Sequence, residues 1–127
     1  MRAAQSFLTP DDLNGLLNQH CEDNPTVVIA SGCFSGIFAG GSSMPAANRT
    51  ILTAARNDRM SFGCNASRHF TVFDQCVLDN LDRGQSWQAV MERTRACVML
   101  YENQASVSPP SEPQIYIGRN VQGELVF

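Results

Sequence analysis

The chain has 127 residues, 43% of them hydrophobic and 17% charged, which is the size and composition of one globular domain with room for a core. Its net charge of −3 and the lack of any Lys/Arg cluster exclude an electrostatic footprint for nucleic acid. No apolar run approaches a membrane span, and Met1 to Gln5 lacks the apolar centre of a signal peptide.

In chain order, Thr9-Pro10-Asp11-Asp12 reads as a helix start: Thr9 caps, Pro10 suits the first helical position and the two Asp residues favour the positive end of the helix dipole. Leu8 and Leu13 have the spacing of a hydrophobic staple, and Leu13, Leu16 and Leu17 share one face. Asn24-Pro25 stops the helix. The β-branched run at 26–30 predicts a buried strand, residues 36–49 a short helix and a loop, 50–54 a second apolar strand, and 56–70 a polar loop. A helix is expected from Thr71 to Leu81, with Phe73, Cys76, Val77 and Leu81 on one side. Ser86 caps a longer helix in which Trp87, Val90, Met91, Thr94, Cys97, Val98 and Tyr101 keep a 3-and-4 spacing. Ser106 to Pro113 should be irregular, Gln114 to Gly118 a last strand, and Glu124 to Phe127 another short one. The order α-β-(α)-β-α-α-β predicts an α/β domain with a mostly parallel sheet covered on both faces.

The five cysteines (Cys21, Cys33, Cys64, Cys76 and Cys97) are odd in number and form no CxxC pair. Cys76 and Cys97 fall on apolar helical positions and read as buried structural thiols, which fits a reducing compartment. Localisation is cytoplasmic if Met1 is the natural start and periplasmic if an upstream signal has been removed. With two His and no ligand-like spacing, neither a metal site nor a cofactor is expected.

Cys33 carries the chemistry. The run Thr26-Val27-Val28-Ile29-Ala30 empties into Ser31-Gly32-Cys33-Phe34-Ser35-Gly36, so a buried strand delivers one thiol to the carboxyl edge of a parallel sheet, where open α/β folds place their ligands. Backbone N–H groups at such a strand-to-turn junction favour a thiolate and could hold an oxyanion. The competing reading is a small buried Cys filling a tight Gly-flanked turn. A nucleophile elbow read from Gly32 to Gly36 fails, because Phe34 occupies the nucleophile position. A phosphate loop read from Gly36 through Gly41 fails because Ser42 stands where Lys is needed, and the glycines do not fit a dinucleotide fingerprint.

That strand and turn, with the run from Thr50 to Cys64, resemble the catalytic half of legumain-type cysteine peptidases, in their bacterial branch, within the caspase-like clan. Further matches cover Phe70 to Asp74 and Pro113 to Gly118, so the likeness spans about Leu8 to Gly118. It implies a caspase-like three-layer α/β sandwich, with the N-terminal strands missing from this chain. Cys33 is then the nucleophile that forms a thioester, and its own N–H is one oxyanion donor. The specificity pocket falls on Ser31, Gly32, Thr53, Ala54 and Arg56. Ser31 stands where legumains carry an acidic residue, so strict asparaginyl specificity is not implied. Arg56 would meet an acidic substrate group or pair with Asp58 or Asp74.

The family's general base is a His followed by Gly on the strand one unit before the Cys strand. No His-Gly pair occurs here, so that strand would lie before Met1, and the chain alone is expected to be inactive. His20 ends a helix at the wrong end of the strand. His69, in the 56–70 loop, leaves from the correct edge, but a solvated loop His is the plainer reading. The expected partners are a peptide or protein substrate, with neither nucleic acid nor membrane, and self-association or a partner segment covering the exposed sheet edge. Two other classes keep the same thiol: a non-catalytic pseudo-peptidase that binds peptides, and a redox sensor in which Cys64 would be the resolving cysteine.

Overall fold

The computed structural model describes residues 8–61 and 71–126. Helix α1 (Pro10–His20) opens with a full capping box: the Thr9 hydroxyl accepts the Asp12 N–H and the Asp12 carboxylate accepts the Thr9 N–H, both at 3.1 Å. Strand β1 (Thr26–Ala30) follows, then a single 3-10 turn at Ser35–Phe38, and strand β2 (Arg49–Thr53). Helices α2 (Val72–Asn80) and α3 (Trp87–Gln104) take their N-caps from Thr71 and Ser86, and β3 (Gln114–Ile117) closes the order.

The strands form one sheet in the order β1-β2-β3. β1 and β2 are parallel, from Thr26 opposite Arg49 to Ala30 opposite Thr53. β3 is antiparallel to β2, with Gln114 opposite Thr53 and Ile117 opposite Thr50. The sheet is therefore mixed rather than mostly parallel, because the chain returns from α3 at the carboxyl edge and runs back down. The expected strand at 124–127 reduces to one antiparallel bridge between Leu125 and Ser86, flanked by Gly84 N–H to Val126 O and Val126 N–H to Gln85 O at 2.9 and 2.8 Å. What these residues show is a small mixed α/β domain.

β2 lies between the other strands and is buried along its whole length, whereas β1, at the sheet edge, is only half-buried. Side chains alternate across a strand. Leu52 and, just beyond the strand, Ala54 face α2 and α3, where Val72, Phe73, Val77, Trp87, Val90, Met91 and Val98 complete the core. Arg49, on the opposite face, is 1% exposed. Its guanidinium donates to Asn14 Oδ1 (2.7 Å), Met44 O (2.8 Å) and Asn18 Oδ1 (3.0 Å), so a buried strand residue docks α1 through neutral acceptors. No residue of α1 is fully buried, and Leu16 is 49% exposed. Of the Leu13-Leu16-Leu17 stripe, Leu13 and Leu17 are half-buried and Leu16 is exposed, so the Arg49 hydrogen bonds act beside a partly covered apolar face.

Cys76 and Cys97 are not free thiols. They form a disulfide between α2 and α3, with Cα atoms 5.7 Å apart. This corrects the expectation of two structural thiols. It also removes the support for a reducing compartment, since such bonds persist in oxidising ones.

Candidate functional site

Three segments meet at the carboxyl edge of the β1–β2 pair. The first is Ser31 to Ser35. The ladder extends one step past the strands, from the Ala54 N–H to Ala30 O at 2.9 Å, and the same N–H reaches the buried Ser35 hydroxyl at 3.0 Å. Between these anchors the chain turns sharply, with Phe34 in the left-handed region at φ 60°. A bulky side chain is rare there and the conformation costs of order 1–2 kcal/mol, so the surroundings must hold it. They do so from the second segment, 55–61: Arg59 O accepts the Phe34 N–H at 2.8 Å.

The same loop touches the sulfur. Ser61 donates its N–H to Cys33 Sγ at 3.3 Å, its hydroxyl lies at 3.5 Å and its carbonyl oxygen at 3.9 Å. Cys33 is half-buried, and its own N–H has no hydrogen-bond partner among the described residues, so it remains open to an incoming acceptor. The third segment is 110–114, which braces the loop. Ser111 O accepts the Arg56 N–H (2.8 Å), Pro110 O accepts from Arg59 Nη1 (2.8 Å), and Glu112 Oε2 takes Arg59 and Arg56 at 2.8 and 3.3 Å.

Of the sequence-assigned pocket residues, Gly32 is exposed and Ser31 and Arg56 are half-buried. Thr53 and Ala54 are enclosed at 0% and 1% exposure, with the Thr53 hydroxyl donating to Ala55 O at 3.1 Å. Arg56 takes the salt-bridge role, chelated by both oxygens of Asp58 and reached by Glu112. The Asp58 carboxyl is held below its ordinary range chiefly by the hydrogen bond from Arg56, and the guanidinium is raised in return. The sign follows: a depressed carboxyl pKa stabilises the loop above the ordinary Asp value of about 3.9 and loses that contribution as pH falls through the lower folded value. A carbon-detected NMR titration should show the Asp58 midpoint below the ordinary Asp value, and Arg56→Gln should raise it.

His20 sits exposed in the last turn of α1. His69 and Cys64 lie outside the described residues, as does Phe70. Sequence reasoning named no role for Ser61, Arg59 or Glu112. Each acts on a segment 25 or more residues away, and no local spacing announces such a contact. Among the described residues no group of acidic, His or Cys side chains could hold a metal ion, and no helix is long and apolar enough to cross a membrane.

Fold and site together define a mixed α/β domain presenting a half-buried thiol at the carboxyl edge of its parallel strand pair. Comparison with family models, curated proteins and solved structures finds no significant match.

Proposed function

We propose that the chain is the catalytic portion of a legumain-like cysteine peptidase, with Cys33 as the nucleophile that attacks a peptide carbonyl and forms a thioester. The observation that carries this reading is the setting of the sulfur: a thiol at the strand exit with the Ser61 N–H directed at it and its own N–H left open as an oxyanion donor. The substrate is a peptide or protein. Gly32, Ser31 and the rim around Arg56 are the surfaces a substrate side chain would meet, while the enclosed Thr53 and Ala54 shape that pocket from beneath.

The general base is supplied by a strand carrying a His-Gly pair that these 127 residues do not contain. The outer edge of β1, unpaired among the described residues, is where a further parallel strand would add to complete a caspase-like three-layer sandwich, whether it comes from the same polypeptide or from a partner. The isolated chain should accordingly turn over peptides poorly, and should self-associate through that edge.

Reactivity tests the nucleophile directly. With the disulfide intact, Cys33 should react with iodoacetamide at neutral pH several-fold faster than the equally half-buried Cys21, and an Asn- or Asp-ended acyloxymethyl ketone peptide should label Cys33 alone. Turnover of the matching amide substrates should be near zero, because no base protonates the leaving amine. Equal alkylation of Cys33 and Cys21 would make Cys33 a structural thiol. Rapid turnover abolished by His69→Ala would place the base within this chain. Selective labelling with peptide binding but no turnover after the missing strand is restored would favour the pseudo-peptidase.

A further inference from the structure

Away from Cys33, unpaired charge and open space coincide in a cleft of about 390 Å³ between α3 and the 110–114 segment. Arg95, Met99 and Glu102 supply one wall, and Pro110, Glu112, Pro113 and Gln114 the other; the Glu112 carboxylate is already paired with Arg59 and Arg56. Glu102 is only 3% exposed, yet its recorded partner is a single neutral donor, the Ser111 N–H at 3.1 Å, with no cation at ion-pair distance among the described residues. A carboxylate buried without a cation is costly, so such a group calls for a positive partner. The neighbouring Ser111 hydroxyl is buried and also unpartnered. Arg95 donates Nε to Pro113 O at 3.0 Å, and its two Nη groups make neither a hydrogen bond nor an ion pair among the described residues.

Arg95, Met99 and Glu102 recur at i, i+4 and i+7, which puts them on one face of α3. Seven residues at about 1.5 Å of rise place the Cα atoms of Arg95 and Glu102 roughly 10 Å apart along the helix axis. That is close to the span of an extended tripeptide at about 3.3–3.6 Å per residue. We propose that this cleft binds a short free peptide of two or three residues, its ammonium against Glu102, its terminal carboxylate on the open fork of Arg95, and its small side chains over Met99, Pro110 and Pro113. The volume lies within the range of small-ligand sites. The site is separate from the peptidase reading and stands or falls without it.

Trialanine titrated into the full chain tests it, followed by calorimetry and by amide shifts of Arg95 and Ser111. Removing either ligand charge, as N-acetyl-trialanine or as trialanine amide, should weaken binding roughly tenfold or more, the scale of a lost charge-assisted hydrogen bond. Arg95→Gln should erase the penalty for the amide cap and keep that for the acetyl cap; Glu102→Gln should do the reverse. Millimolar trialanine that moves no amide of the folded wild-type chain would overturn the proposal, as would capped and free peptides binding alike. The capped ligands decide the matter on the wild-type chain even where Glu102→Gln does not fold.

Discussion

Changing both Cys76 and Cys97 to Ala should lower the melting temperature by roughly 10–15 °C. The bridge closes a loop with a sequence separation of 21, which in the chain-entropy account removes about 3 kcal/mol of freedom from the unfolded chain. In a domain of 127 residues, each kcal/mol shifts the midpoint by roughly 3–6 °C. The loss falls on the core itself, since Cys76 is fully buried among Phe73, Val77, Trp87 and Val98 and holds α2 against α3 beneath β2. Thermal unfolding followed by circular dichroism should show the wild-type chain with reductant matching the double variant, and the double variant indifferent to reductant. An intact mass with two free thiols at these positions, or a midpoint unchanged by the substitutions, would sink the expectation.

The second large effect concerns two glycines where backbone meets backbone. A Cβ at Gly36 would strike the Asn57 nitrogen and approach Ala55 O and Arg56 C to 2.8 Å, and one at Gly118 would run into the Ala46 and Ala47 carbonyls. Neither contact involves a side chain that can swing away. Each glycine-to-alanine change should therefore cost about 1–3 kcal/mol, the usual scale of overpacking. Their functional consequences should differ. Gly36 presses the 35–38 turn onto the loop that carries Arg59 and Ser61 to Cys33, so Gly36→Ala should also slow Cys33 alkylation. Gly118 joins the 46–47 and 118–120 segments at the far end of β2, so Gly118→Ala should destabilise while leaving Cys33 reactivity unchanged below the melting range. Gly32→Ala meets nothing within 4 Å and serves as the tolerated control. Chemical denaturation and per-cysteine mass spectrometry on the three variants read both quantities. Equal alkylation rates for the Gly36 and Gly118 variants would break the link between the turn and the thiol.

The acid and salt sensitivity of the site has its source in the same loop. Arg56, Asp58, Arg59 and Glu112 form a network that is largely exposed, so its worth to stability is small and screened by salt. Its consequence is positional. It ties 56–59 to 110–112, and Arg59 O in turn holds the strained Phe34 turn beside the nucleophile.

What the amino-acid order by itself determined were the three helices with their starts and the three strands of the sheet. Thr9 with Asp12 and Ser86 with Ala89 are pairs three residues apart, so those two caps were legible from local spacing, while Thr71, read as the first helical residue, caps its helix through Asp74 in the same way. The run from Thr26 to Ala30 ending at Cys33 was legible for a similar reason, since β-branched residues followed by Gly give the strand and its exit without reference to any other segment.

The tertiary structure alone decided the rest, because each remaining feature joins residues that no local period connects. Which cysteines pair depended on α2 packing against α3, so two positions that read as apolar helical sites became a cross-link. The direction of β3 depended on the edge at which α3 returned the chain. Thr53 and Ala54 are enclosed because they lie at the end of the central strand between β1 and β3, with α2 and α3 packed over the Ala54 face. Arg49 became the buried anchor of α1 only because Asn14, Asn18 and Met44 met it there, and Ser61 reached Cys33 only because the 55–61 loop folds back over the strand exit. Folding decides contacts of this kind by burial and by the hydrogen bonds that buried groups require, and both are properties of the assembled chain rather than of any window along it.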